Sequence, residues 1–142
     1  MDPSMIDRLE RSFNALAPKA PELADRFYAL LFSRNPGVRP MFPESMNQQK
    51  KKLLASLMLV VQNLRTPEKL TEPLKEMGAR HVGYGTEPEH YPIVRDTLVE
   101  VMGEMAGDLW NAQLEADWKG ALDLVAGIML EGAANAAHAT AD

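Results

Sequence analysis

The segment MGARHVGYG, residues 77–85, decides how the chain is read, and His81 at its centre is one of three histidines in 142 residues. Going back from it, Gly78, Met77 and Leu74 fall at three- and four-residue steps, so His81 continues an apolar stripe along one face of a helix. Going forward, Gly83 and Gly85 end that helix, because glycine takes the left-handed backbone that helix exits need. Thr71 is placed to cap its start, with Pro73 tolerated in the first turn. Gly78, one turn before His81, leaves room on the stripe for something flat. A lone histidine near a helix end is more often a solvated surface group. On an apolar stripe it needs a partner, since an unpaired buried polar group costs about 1–3 kcal/mol.

The same periodicity extends over the whole chain, and no long alternating run suggests a sheet, so the chain reads as all-α. Asp2-Pro3-Ser4 signals a start, and Ile6, Leu9, Phe13 and Leu16 form the first stripe. Pro18 interrupts, Pro21 suits the first turn of a second helix, and Leu23, Phe27, Leu30 and Leu31 give its inner face. Asn35-Pro36-Gly37 stops it, and a proline-rich corner around Met41 and Phe42 follows. A long helix over about 45–64 carries Gln49, Leu53, Leu57, Val60 and Leu64. Thr86 to Glu89 has the spacing of a capping box for a helix with Tyr91, Val94, Leu98, Val101 and Met105 inward. The last helix, from about Asn111, shows Leu114, Trp118, Ala121, Val125 and Ile128 or Met129. One domain over 1–142 is expected, with a core over roughly 5–131 and a flexible tail over 132–142.

Composition removes several classes. The net charge is −5, and only Lys50 to Lys52 cluster, so there is no basic face for nucleic acid. The longest apolar run, Leu57 to Val61, is too short to span a bilayer, and no signal segment opens the chain, which implies a cytoplasmic protein. With no cysteine there is no disulfide, thiolate metal site or covalent thioether link to a haem. The nine methionines fall mostly on helical stripes, where they serve as core filler more simply than as a peptide-binding groove.

Tyr28, Gln49 and His81 are the polar side chains on otherwise apolar faces. They either bond to one another and to backbone or converge on a ligand. Zinc would need further closely spaced His or Cys ligands. Haem asks for one axial histidine and an apolar slot, which one histidine on a stripe can meet.

Taken in order, FYALLFSRNPGVRPMF, NQQKKKLLASL, ARHVGYG, HYPIVRDTLVEVM and a tryptophan-bearing final helix resemble the single-domain bacterial haemoglobins and the haem domain of flavohaemoglobins, with similarity to neuroglobin-like bacterial globins. The resemblance implies a globin fold of seven to eight helices around a non-covalent haem b. It implies His81 as the iron ligand, Tyr28 and Gln49 as catalytic donors above the iron, Phe42 against the porphyrin and Leu53 as a pocket wall. Lys52 and Arg80 would meet the propionates. Leu74 and Met77 would line the His81 side, while Tyr91, Val94 and Leu98 would close the proximal and inner sides.

The implied partners are dioxygen, nitric oxide and carbon monoxide at a five-coordinate iron, in a monomer or homodimer. Nitric oxide dioxygenation is the enzymatic variant, and it would need a separate reductase; a gas sensor or an interaction module is the alternative class. The family's proximal glutamate position falls near Ala133 in this chain, with Glu131 two residues away.

Overall fold

A computed structural model describes residues 2–141, with side chains described through residue 136. Six α-helices follow one another: α1 (Pro3–Leu16), α2 (Ala20–Arg34), α3 (Asn47–Gln62), α4 (Thr71–Gly83), α5 (His90–Ala106) and α6 (Ala112–Ala141). Where seven to eight helices were expected, four short 3-10 segments complete the path instead. The longest, Pro36–Met41, holds Pro36 and Pro40, whose rings withhold the donors an α-helix would use. Among the described residues no helix is long and apolar enough to cross a membrane.

Helix starts follow local chemistry. The Asp2 side chain accepts from the Ser4 amide at 2.9 Å ahead of α1, and Asn111 accepts from the Leu114 amide at 2.8 Å ahead of α6. Two expected caps do not form. Thr71 is the first helical residue of α4 and makes no capping bond. Thr86 belongs to the end of α4, its amide donating to the His81 carbonyl at 3.1 Å, so no capping box precedes α5. There the His90 Nδ1 accepts from the Glu87 amide at 2.9 Å. Gly85, at φ 82°, supplies the left-handed turn that lets α4 exit.

The predicted stripes form the core. Ile6, Leu9, Phe13 and Leu16 of α1 meet Leu23, Phe27 and Leu31 of α2, Leu57 and Val60 of α3, Leu64 in the turn that follows α3, Leu98 and Val101 of α5, and Leu114, Trp118 and Ala121 of α6. Each Leu, Ile, Val or Phe side chain among them contributes on the order of 1.5–3 kcal/mol by leaving water. Polar ties register α1 against α6: the Trp118 indole donates to the buried Ser12 hydroxyl at 2.9 Å, which itself donates to the Leu9 carbonyl. Beside it Arg8 pairs with Asp117, which is 3% exposed, at 2.5 Å. Arg34 and Glu100 join α2 to α5, and Arg95 and Asp123 join α5 to α6.

The end of α6 differs from the sequence expectation, because the helix continues past Glu131 to Ala141. Gly132 is buried, and a Cβ placed on it would lie 2.1 Å from the Lys75 carbonyl oxygen of α4. Gly78 is the mirror case. A Cβ there would lie 1.8 Å from the Met129 carbonyl oxygen. The space that Gly78 clears therefore admits the backbone of α6 and not a flat ligand, which corrects the sequence reading.

Candidate functional site: a tyrosine cluster and a histidine cluster

One cluster comes from α2, the proline corner and α3. Tyr28 is 4% exposed, its ring held edge-on by Phe27 at 4.8 Å and by Phe42 at 5.7 Å. Phe32, one turn after Tyr28, packs on Phe42 at 5.2 Å, and the Arg39 guanidinium stacks on Phe32 at 5.0 Å. Sequence reasoning passed over Phe32, although its i+4 spacing from Tyr28 on one helix face was the available signal.

The Gln49 amide nitrogen donates to the Tyr28 oxygen at 3.4 Å. That donation occupies a lone pair and leaves the phenol's own hydrogen for another acceptor. Burial pushes the Tyr28 pKa up, partly offset by the bond from Gln49, so the hydroxyl stays protonated and able to donate at neutral pH.

The second cluster lies at the end of α4. The His81 Nδ1 sits 2.5 Å from the Met77 carbonyl oxygen. A carbonyl can only accept, so Nδ1 carries the hydrogen and the Nε2 lone pair is left free. Burial is the main cause that lowers the His81 pKa, and Arg80 lowers it further against the opposing effect of the Met77 carbonyl. The ring is thus held as neutral imidazole, the form that binds a metal. Tyr84 packs edge-on to His81 at 5.4 Å; sequence reasoning gave it no role.

The helices that carry the two clusters have different supports. α3 packs on α1 and α2, while α4 packs on α6 and the short segment before it, and α3 and α4 do not lie along one another. They approach where the Ser56 hydroxyl comes within 4.0 Å of the Met77 sulfur. Among the described residues no hydrogen bond or ring contact joins Tyr28 or Gln49 to His81.

The remaining expected site residues divide by exposure. Leu74 and Leu98 are fully buried, Leu53, Met77 and Tyr91 are half-buried against the core, and Val94 is 37% exposed. Lys52 and Arg80 stand exposed. Glu131 pairs with Lys75 of α4 at 3.4 Å. The Tyr91 hydroxyl is buried and has no hydrogen-bond partner among the described residues, an arrangement that costs about 1–3 kcal/mol unless a ligand group meets it.

The sequence profile of the family described as Globin matches residues 25–129. The chain belongs to the globin family. Its relatives include a flavohaemoprotein of Vibrio cholerae, 24% identical over 89% of this chain and 33% of the relative. A globin-like protein of Aquifex aeolicus is 28% identical over 74% of each chain, and an anaerobic nitrite reductase of Casuarina glauca is 29% identical over 85% of this globin and 86% of the relative. The globin thus spans about a third of the length of the flavohaemoprotein it matches.

Among solved structures, an engineered carbene transferase from Rhodothermus marinus, provisionally named a nitric oxide dioxygenase, superposes with a TM-score of 0.88 at 25% identity, covering 100% of this chain and 99% of that one. A bacterial globin from Campylobacter jejuni superposes at 0.84 and 21% identity, covering 94% and 97%. Membership implies a haem cofactor, and the residues present fit one. His81 offers a free Nε2 on a neutral ring, α3 and α4 stand on separate supports, and Tyr91 holds a buried polar atom that lacks a partner among the described residues.

Proposed function

We propose that this globin binds dioxygen and other small diatomic gases at a non-covalently held haem b, with His81 as the iron ligand and Tyr28 and Gln49 on the gas side. One observation carries the reading: the buried Tyr28 phenol already accepts from Gln49, so its hydrogen is free to donate toward the site. When bound, haem supplies an iron that takes up diatomic gases and exchanges single electrons.

The chain's own part is to orient and to polarise. The Met77 carbonyl fixes the tautomer and the rotation of the His81 ring. Phe42, together with Phe32, forms an apolar wall that keeps water from the Tyr28 side. Tyr28 and Gln49 are fixed donors beside a ligand that draws electron density, and preorganised donors of this kind stabilise such a ligand. Leu53 walls the gas side, and Leu74, Met77, Tyr91, Val94 and Leu98 line the proximal and inner sides. Lys52 and Arg80 reach the propionates from solvent.

Conversion of nitric oxide is the catalytic extension, supported by the name of the Rhodothermus marinus structural neighbour, and would draw electrons from a reductase. The test is reconstitution. Purified protein titrated with haemin is expected to give one strong Soret band at 1:1 stoichiometry, and His81→Ala is expected to abolish the five-coordinate ferrous spectrum. A parent protein that takes up no haem, or a His81→Ala spectrum matching the parent's, would refute the assignment.

A further inference from the structure

α4 lies along α6 more extensively than any other two helices lie together, and packs on no other α-helix to a comparable extent. The contact is backbone on backbone at two points. Gly78 meets the Met129 carbonyl, and Gly132 meets the Lys75 carbonyl, so each helix contributes one glycine to the other's main chain. The pairs run antiparallel, one turn apart on each helix. Lys75 and Glu131 add an ion pair beside the second point.

We infer that Gly78 and Gly132 are positioning residues that set the height of α4 over α6, and through it the height of the His81 ring at the site. The inference rests on His81 being the haem ligand. His81 lies one turn beyond Gly78, and its ring is tied to its own helix by the Met77 carbonyl, so a shift of α4 carries the imidazole with it. Ordinary van der Waals contact begins at about 3.4 Å, against the 1.8 and 2.1 Å that a Cβ would meet here. Since the obstacle is main chain and not a flexible side chain, the helices must separate by more than an ångström. By contrast Gly127, on the same α6, has nothing within 4 Å of its Cβ position, and serves as the matched control.

The experiment compares Gly132→Ala and Gly78→Ala with Gly127→Ala and the parent, all loaded with haemin. The first two are expected to shift and broaden the ferrous iron–histidine stretching band in resonance Raman spectra, and to release haem to a scavenger about 5- to 150-fold faster, the range to which overpacking penalties convert. Gly127→Ala is expected to match the parent in both. The deciding readout uses a His81→Gly background supplied with free imidazole. There the iron ligand is no longer tethered to α4, so Gly132→Ala is expected to leave the iron–imidazole band unmoved.

An unshifted band in Gly132→Ala and Gly78→Ala, or a shift that persists in the His81→Gly background, would overturn the inference while leaving the haem assignment intact. A parent protein that binds no haem would overturn both. If the alanine variants yield too little folded protein, hydrogen exchange on the unmodified chain decides. Amides of α4 and those of α6 from residue 129 to 136 are expected to open as one unit, and α4 protection that outlasts opening of that part of α6 counts against the inference.

Discussion

Tyr28→Phe isolates the proposed donor, because it deletes one oxygen and leaves a ring of nearly the same shape. The ring is fixed by Phe27 at 4.8 Å and Phe42 at 5.7 Å, contacts that do not involve the hydroxyl. Gln49 loses its acceptor, but it is only half-buried and can turn to water, so folding stability is expected to fall by about 1 kcal/mol or less. The gas ligand loses more. A hydrogen bond to a charge-bearing acceptor contributes about 1.5–3 kcal/mol, which corresponds to roughly tenfold to 150-fold in affinity, expressed mostly as faster release.

Stopped-flow displacement of dioxygen from the haem-loaded ferrous protein reads this directly. Carbon monoxide, a less polarised ligand, is the control and should respond far less. Gln49→Leu should recover part of the same effect, and the double variant should fall short of the sum of the two, because the residues share one hydrogen bond. An oxygen release rate within about twofold of the parent, or equal changes for both gases, would refute the donor role, since a free phenol hydrogen aimed at the ligand must discriminate by charge.

Two further predictions concern the frame that holds the site. Ser12→Ala leaves the buried Trp118 N–H without its acceptor, which should cost about 1–3 kcal/mol and lower the melting temperature by roughly 3–9 °C in a calorimetric scan. Acid stability should depend on Asp117, whose carboxyl is held below its ordinary value of 3.8 chiefly by the hydrogen bond from Arg8. In the unfolded chain this carboxyl protonates first as pH falls, so its contribution is complete above about pH 4 and disappears as pH drops through the folded value. Melts from pH 7 to pH 2 should therefore show a shallower acid limb for Asp117→Asn; an acid limb identical to the parent's would remove Arg8–Asp117 as its source.

Where residue spacing alone determined an element, it could be read in advance. The stripes of α1 and α2 were readable because a helix buries every third or fourth residue whatever surrounds it, that of α5 was readable except at Val94, which is exposed, and Tyr28, Gln49 and His81 stood out as polar groups on the apolar faces of α2, α3 and α4. Gly78 was misread for a reason that local pattern cannot supply: its neighbour is Met129, fifty-one residues on in the chain, and only the crossing of α4 and α6 reveals it. The stretch after Glu131 looked like a tail because alanine and glycine carry no hydrophobic stripe to detect, yet a small side chain is what a close backbone contact demands. Thr86 fitted a capping box by spacing, but its amide was already committed to the preceding helix. The tautomer of His81 depends on a backbone carbonyl of its own helix and is visible only once atoms are placed.

The separate supports of the two clusters also bear on the order in which the protein is made. Tyr28, Phe42 and Gln49 lie in the part of the chain synthesised first, whereas the crossing that seats α4 is complete only when Gly132 has emerged, some fifty residues after His81 and on the order of 3–10 s later at ordinary translation speeds. If the proposed roles hold, a nascent chain completes the proposed gas-side residues before the proposed iron ligand His81 is seated, and haem capture is expected to follow synthesis instead of accompanying it.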